Sequence, residues 1–307
     1  MAETATARER ELVRGAVDLH VHTAPDVMPR HLDDITLARR CLEVGQAGFV
    51  IKSHYTPTAE RAALVRAAVA GVEVLGAVTL NASLGGMNPV AVEIAAREGA
   101  RVVWLPTVDA VNEAGRTPAI PPAWARIQNE LREQGVAVRP VEVVDGAGRL
   151  LPETRAVLER VAQHGLVLAT GHLGRDEIFA VVDAAFAAGV EQVIVTHPEF
   201  PAQDLSQEDQ LALARKGAYL ERCFTTPHSG KCSWETWLGR ARAVGAERNV
   251  VSTDLGQPEN PSPEDGLALC AGRLLQGGFS EDEVRTMIVV NSRLLAGLAE
   301  IPLEARR

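Results

Sequence analysis

The sequence predicts an α/β protein, a single (β/α)8 TIM barrel over residues 1–307 with a small β-hairpin insertion. Three observations predict it. Eight short apolar runs of strand type alternate with segments of helical periodicity. Most of the runs are nearly continuous in apolar residues, as strands covered on both faces must be. The length of 307 residues and the 46% hydrophobic content suit one barrel. Strands each followed by a helix argue for parallel pairing through right-handed crossovers. No G-x-G-x-x-G follows the first run, so a dinucleotide fold loses its main support.

The elements follow in order. Val17 to His22 is the first strand, and a helix begins near Asp33-Asp34, with Ile35, Leu37, Ala38, Cys41 and Leu42 at helical spacing. Gly48 to His54 is the second strand. Thr56 with Pro57 at the first helical position predicts the start of the next helix. Val72 to Leu80 is the third strand, a helix runs from Pro89 to Arg97, and Arg101 to Pro106 is the fourth strand. Asp109 to Pro122 reads as a loop, and Trp124 to Gln134 as a helix. Ala137 to Val144 and Arg149 to Leu151, joined by Asp145-Gly146-Ala147-Gly148, form the expected hairpin. After a helix from Pro152 to His164, Leu166 to Thr170, Gln192 to Thr196, Ala218 to Phe224 and Asn249 to Asp254 are strands five to eight. Their helices are expected around 178–188, 208–216 and 234–244, and two more, 263–276 and 281–298, end the chain.

Composition narrows the function. A net charge of −9 argues against a nucleic-acid partner, which would favour a basic face. With 4% aromatic residues, stacking platforms for bases are not expected. No apolar run has membrane-spanning length, and Met1 to Gly15 is polar, without a signal-peptide core. Cys41, Cys223, Cys232 and Cys270 form no C-x-x-C pair, which predicts free thiols in a reducing compartment. The expectation is a cytoplasmic protein acting on a small molecule, without nucleic-acid or membrane partners. Homo-oligomerisation stays open.

The chemistry-bearing residues fall at strand ends. His20 and His22 end strand one, and Lys52 and His54 end strand two. His172 follows strand five, His197 strand six and Asp254 strand eight. All lie at the C-terminal ends, where barrel enzymes build their sites. Side chains alternate along a strand, so His20 and His22 share a face, as do Lys52 and His54. A single histidine in an apolar strand is usually a hydrogen-bonded core residue. Five placed around one mouth argue for a metal centre, with His20, His22, His54, His172, His197 and Asp254 as ligands. Imidazole and carboxylate donors suit zinc first, with iron or manganese as alternatives, one or two ions per chain. Asp254, His197 and Lys52 are the expected catalytic groups. Lys52, Arg30 and His228 are the expected substrate contacts. His31 and His164 read as surface residues. The loop 81–88, with Gly85-Gly86, reads as a plain turn.

These residues resemble the amidohydrolase superfamily of metal-dependent barrel enzymes. The matching elements are Asp18-Leu19-His20-Val21-His22, His172, His197 and Asp254. The closing stretch Asn291-Ser292-Arg293-Leu294-Leu295-Ala296-Gly297-Leu298 also matches, with one extra residue. The resemblance implies that His20, His22 and Asp254 bind one metal and that His172 and His197 bind a second or assist the first. It also implies that Asp254 shuttles a proton. One departure stands out. Strand four, Val102 to Thr107, lacks the bridging lysine or glutamate of dinuclear members. His54 is the first substitute and Glu221 a weaker one. The beginning of the chain is also similar to the PHP phosphoesterases, although Lys52-Ser53-His54 lacks their acidic residue.

The leading function is metal-dependent hydrolysis of an amide, lactone, imine or ester. A non-haem iron (diiron) oxygenase or a decarboxylase on the same barrel, and a PHP-like phosphoesterase, are the alternatives.

Overall fold

The computed structural model describes residues 5–114, 116 and 123–299. Part of the predicted loop 109–122 therefore lies outside the described residues. Eight strands form one sheet in the order β1 to β8, every neighbouring pair parallel. They are β1 Val17–Val21, β2 Gly48–Ile51, β3 Glu73–Thr79, β4 Ala100–Trp104, β5 Val167–Ala169, β6 Val193–Val195, β7 Tyr219–Cys223 and β8 Asn249–Ser252. Beyond β8 the backbone closes on β1. His22 N–H donates to the Leu255 carbonyl at 2.8 Å, and Asp254 N–H donates to the His20 carbonyl at 2.8 Å.

The helices are α1 Ala7–Leu12, α2 Asp34–Val44, α3 Ala59–Ala68, α4 Pro89–Arg97, α5 Ala123–Glu133, α6 Pro152–Gln163, α7 Arg175–Ala187, α8 Gln207–Lys216, α9 Thr225–His228, α10 Trp234–Val244, α11 Pro263–Gln276, α12 Glu281–Arg285 and α13 Asn291–Ala296. Local chemistry explains several starts. Thr6, Asp33, Asn88, Ser206 and Ser280 each accept a backbone N–H from the first turn of the helix that follows.

α3 begins two residues later than Thr56-Pro57 predicts. The Thr58 hydroxyl explains the shift, because it bonds across the sheet rather than capping the helix. It donates to the Ile51 carbonyl at 2.7 Å and accepts the Ala77 N–H at 2.8 Å. The expected last helix is interrupted by a π-helical turn, Thr286–Val290, between α12 and α13. The hairpin region is reduced to one antiparallel bridge, Val144 to Leu150, across the Asp145–Gly148 turn.

Packing forms concentric layers. Val17, Leu19, Val50, Ala77, Val102, Trp104, Val167, Ala169, Ile194, Tyr219 and Val250 fill the barrel interior. Val21, Phe49, Ile51 and Val74 instead pack outward against α2 and α3 through Leu37, Ala38, Ala62 and Val65. Arg222, fully buried on β7, bonds outward to Glu199, to Gln210 of α8 and to Asn249. Cys41, Cys223 and Cys270 are buried and Cys232 is half-buried; all are free thiols. Among the described residues, no helix is long and apolar enough to cross a membrane.

Candidate metal centre

A β-bulge aims the first two histidines. The register of β1 on β2 shifts between Asp18 and Val21, which inserts one residue. Val17, before the bulge, and Leu19, within it, belong to the interior layer, and Val21 packs outward after it. His20 and His22 therefore both reach the barrel mouth. The bulge also exposes a backbone N–H that needs an acceptor. The buried Asp18 carboxylate supplies it, accepting from His20 N–H at 3.2 Å. It also accepts the Thr253 N–H at 3.0 Å and the Thr253 hydroxyl at 2.5 Å. Asp18 thus ties the bulge to the turn that carries Asp254. Burial pushes its pKa up to about 7, against these hydrogen bonds.

The five predicted histidines form a closed circuit. Ring centroids lie 5.5 Å apart for His20–His22, 4.9 Å for His22–His54 and 6.3 Å for His54–His172. His172–His197 at 5.0 Å and His197–His20 at 6.1 Å complete it. All five rings are buried. Asp254 Oδ1 bridges one side, 3.1 Å from His20 Nε2 and 3.2 Å from His22 Nε2. His197 and Asp254 hold positive φ angles of 25° and 52°, a conformation that costs non-glycine residues on the order of 1–3 kcal/mol. Two close backbone approaches frame the mouth. A Cβ on Gly256 would meet the His22 carbonyl oxygen, and one on Gly171 would meet those of Leu105 and Pro106.

Each ring has a distinct environment. His20 Nδ1 lies 3.3 Å from both Glu221 oxygens, and its Nε2 lies 2.7 Å from Lys52 Nζ. Burial and the Lys52 charge oppose protonation of His20, but Asp254 and Glu221 outweigh them and raise its pKa. His22 Nδ1 faces the Arg30 guanidinium at 3.3 Å. His54 Nδ1 is 2.9 Å from the Thr107 hydroxyl. His172 Nδ1 is 2.8 Å from Glu113 Oε1, but the pair is not aligned for a hydrogen bond. His197 Nδ1 is buried with no protein partner among the described residues. Burial holds the pKa of His22, His54 and His197 well below the ordinary imidazole value, and lowers that of His172. Burial alone would raise the Asp254 pKa, but His20 and His22 hold it well below the usual carboxylate range.

Lys52 is fully buried, and burial lowers its pKa against the pull of Asp254 and Glu221. Its ammonium also lies 5.0 Å from the centroid of the Trp104 ring. Trp104 occupies the end of β4, where the dinuclear pattern would have a bridging ligand, and so supplies an aromatic wall there. The side chain of Arg30, a candidate substrate contact, is almost fully buried and ion-paired with Asp26 at 2.6 Å. His228 lies apart from the circuit, on α9, its ring stacked on Phe224 at 4.7 Å. His31 and His164, read as surface residues, are half-buried, and His164 pairs with Glu93 at 2.7 Å.

Sequence reasoning did not name Glu113, Thr107 or the Asn81 side chain, and ranked Glu221 low. Asn81 is fully buried and begins a 3₁₀ turn, Ala82–Leu84, where a plain turn was expected. Among the described residues, two sets of donor atoms lie close enough to hold a metal: His20, His22 and Asp254, or His20, Glu221 and Cys223. The sets share His20 and use opposite nitrogens of its ring. Glu221 as acceptor for Nδ1–H leaves the Nε2 lone pair facing His22 and Asp254, the usual carboxylate–histidine–metal arrangement.

A family model described as "Family of unknown function (DUF6282)" matches residues 15–221, about two thirds of the chain. The chain belongs to that family. The match includes every histidine of the circuit, Lys52 and Glu221, but ends before Asp254. A search of curated proteins by sequence finds no match. Solved structures are similar in fold. An amidohydrolase from Pseudomonas aeruginosa aligns with a TM-score of 0.60 at 12% identity, covering 94% of this chain and 99% of that one. A probable dipeptidase from the same organism aligns with a TM-score of 0.58 at 11% identity, covering 95% and 96%. A TatD homologue from Escherichia coli K12 aligns with a TM-score of 0.54 at 13% identity, covering 92% and 98%. The (β/α)8 barrel expected from the sequence is the fold observed.

Proposed function

We propose that this DUF6282 protein is a metal-dependent hydrolase of a small molecule, with His20, His22 and Asp254 holding a divalent ion. The observation that carries this reading is the Asp254 carboxylate between two imidazole Nε2 atoms, 3.1 and 3.2 Å away, inside a circuit of five buried histidines. The donor set fits a divalent cation. It combines one carboxylate with buried imidazoles, several held toward the neutral, ligating form, and His197 adds a buried nitrogen without a protein partner. Zinc is the first choice, with iron or manganese also compatible. The Lys52 ammonium, 2.7 Å from His20 Nε2, must give up that contact when the ion is bound.

A divalent ion held there supplies Lewis acidity, lowering the pKa of water and polarising a carbonyl. The protein residues do the rest. Glu221 accepts the His20 Nδ1 proton and fixes the ring. Asp254 takes a proton from the attacking water and hands it to the leaving group. Phe200, with its centroid 4.9 Å from His197, and Trp124, 6.1 Å from His172, limit water on one side. Lys52 and Arg30 favour an anionic substrate, so a phosphoester is the second reading.

The test is elemental analysis of protein purified without added metal. It is paired with a hydrolysis screen over esters, lactones, amides and phosphoesters. The expected result is at least one zinc per chain and a hydrolytic activity lost in Asp254→Asn. Absence of bound metal, together with no metal-dependent thermal shift, would overturn the proposal. Two irons per chain would move the reading to oxygenase chemistry.

A further inference from the structure

His54 sits in the circuit, but its hydrogen bonds differ in kind from those of His20. The difference begins at Asn81, between β3 and the 3₁₀ turn. Asn81 Oδ1 accepts the backbone N–H of Thr107 at 2.8 Å and of Asp109 at 3.3 Å. Its Nδ2 donates to the His54 carbonyl at 2.8 Å and to Thr107 Oγ1 at 2.7 Å. Backbone groups thus fix which end of the carboxamide is oxygen. Thr107 Oγ1 is therefore an acceptor toward Asn81, and its own proton needs a different acceptor. Among the described residues the acceptor within reach is His54 Nδ1, at 2.9 Å. His54 Nδ1 must carry the lone pair, and the proton of the neutral ring lies on Nε2. A proton on Nδ1 would leave the buried Thr107 hydroxyl without an acceptor, which disfavours that form by on the order of 10- to 100-fold.

An imidazole whose Nε2 is protonated and whose Nδ1 is engaged has no lone pair to offer a metal. We infer that His54 is not a metal ligand but the fixed hydrogen-bond donor of the site, its Nε2–H serving an electron-rich oxygen of the substrate. Thr107 and Asn81 are its positioning residues. The fitting substrate class is a carbonyl compound or carboxylic-acid derivative. That substrate role rests on the hydrolase reading, whereas the tautomer does not. His22 differs in the strength of its constraint. Arg30 touches its Nδ1 at a longer 3.3 Å and keeps Asp26 as a second partner, so His22 can release it and ligate.

The test is long-range ¹H–¹⁵N NMR on protein labelled at histidine nitrogen, with and without zinc. The His54 signals are identified by their loss in His54→Gln. The expected pattern is a protonated Nε2 and an unprotonated Nδ1 in both samples. Thr107→Val should mix the tautomers, and Thr107→Ser should restore one. His54→Gln, with wild-type circular dichroism, should keep the wild-type zinc content, whereas His20→Gln should lose it. A proton on Nδ1 in the wild type, or zinc lost from folded His54→Gln, would overturn the inference. If the wild type binds no metal but shows the Nε2–H tautomer, the hydrolase reading fails and the assignment of His54 stands.

Discussion

Two walls of the barrel mouth carry histidines of the same burial and put them to different use. On the β8–β1 wall, Asp254 lies between His20 Nε2 and His22 Nε2, with cationic Lys52 and Arg30 alongside. Its acceptors converge, and a second cation can compete for them. On the β2–β4 wall, His54, Thr107, Asn81 and Asp109 satisfy one another, with the backbone as anchor. That network has no acceptor turned toward the centre. A histidine at a strand end is therefore a ligand or a donor according to what holds its other nitrogen.

Substitutions can break this contrast. The largest effect should come from Asp254→Asn, which tolerates the left-handed backbone but removes the charge. Turnover should fall by about 10²–10⁴-fold, read by steady-state hydrolysis. Glu221→Gln keeps the shape of the wall and weakens the hold on His20, so zinc affinity should drop by about 10–100-fold in competition with a chelator. Asn81→Ala attacks the opposite wall. It should cost about 1–3 kcal/mol in denaturant unfolding while leaving zinc stoichiometry intact. Removing metal with a chelator should lower the melting temperature of the wild type, because a ligand at 100 times its Kd stabilises by about 2.7 kcal/mol. The same treatment should move Asp254→Asn much less. Arg30→Lys, which keeps a cation against the buried Asp26 carboxylate, should have the smallest effect, a few-fold rise in KM for anionic substrates at unchanged zinc content.

The barrel and the gathering of polar residues at its mouth were legible in the sequence, for a physical reason. Parallel strands read as apolar runs, and a histidine or aspartate ending such a run stands out against them. His20, His22, His54, His172, His197 and Asp254 were singled out in this way, and the structure brings them together at one mouth. The bulge in β1 did not disturb the expectation, because Val21, between His20 and His22, packs outward and leaves both rings on the other face. Glu221 lies inside β7, flanked by Leu220 and Arg222, and its value depends on a contact with β1 that no local pattern records. Glu113, Asn81 and Thr107 sit in or next to connecting segments, and their partners come from other strands. The role of His54 depends on the direction of one hydroxyl proton, which only those tertiary contacts determine. Thr58 was read as part of a helix start because its sheet contacts are equally invisible in the chain order.

The central claim is that His20 presents Nε2, not Nδ1, to a metal alongside His22 and Asp254. X-ray absorption at the zinc edge of the loaded protein tests it most directly. The account predicts a shell of nitrogen and oxygen neighbours at about 2.0–2.2 Å, with no sulfur. A sulfur neighbour at about 2.3 Å would place the ion with Glu221 and Cys223 on the other face of His20 and contradict it.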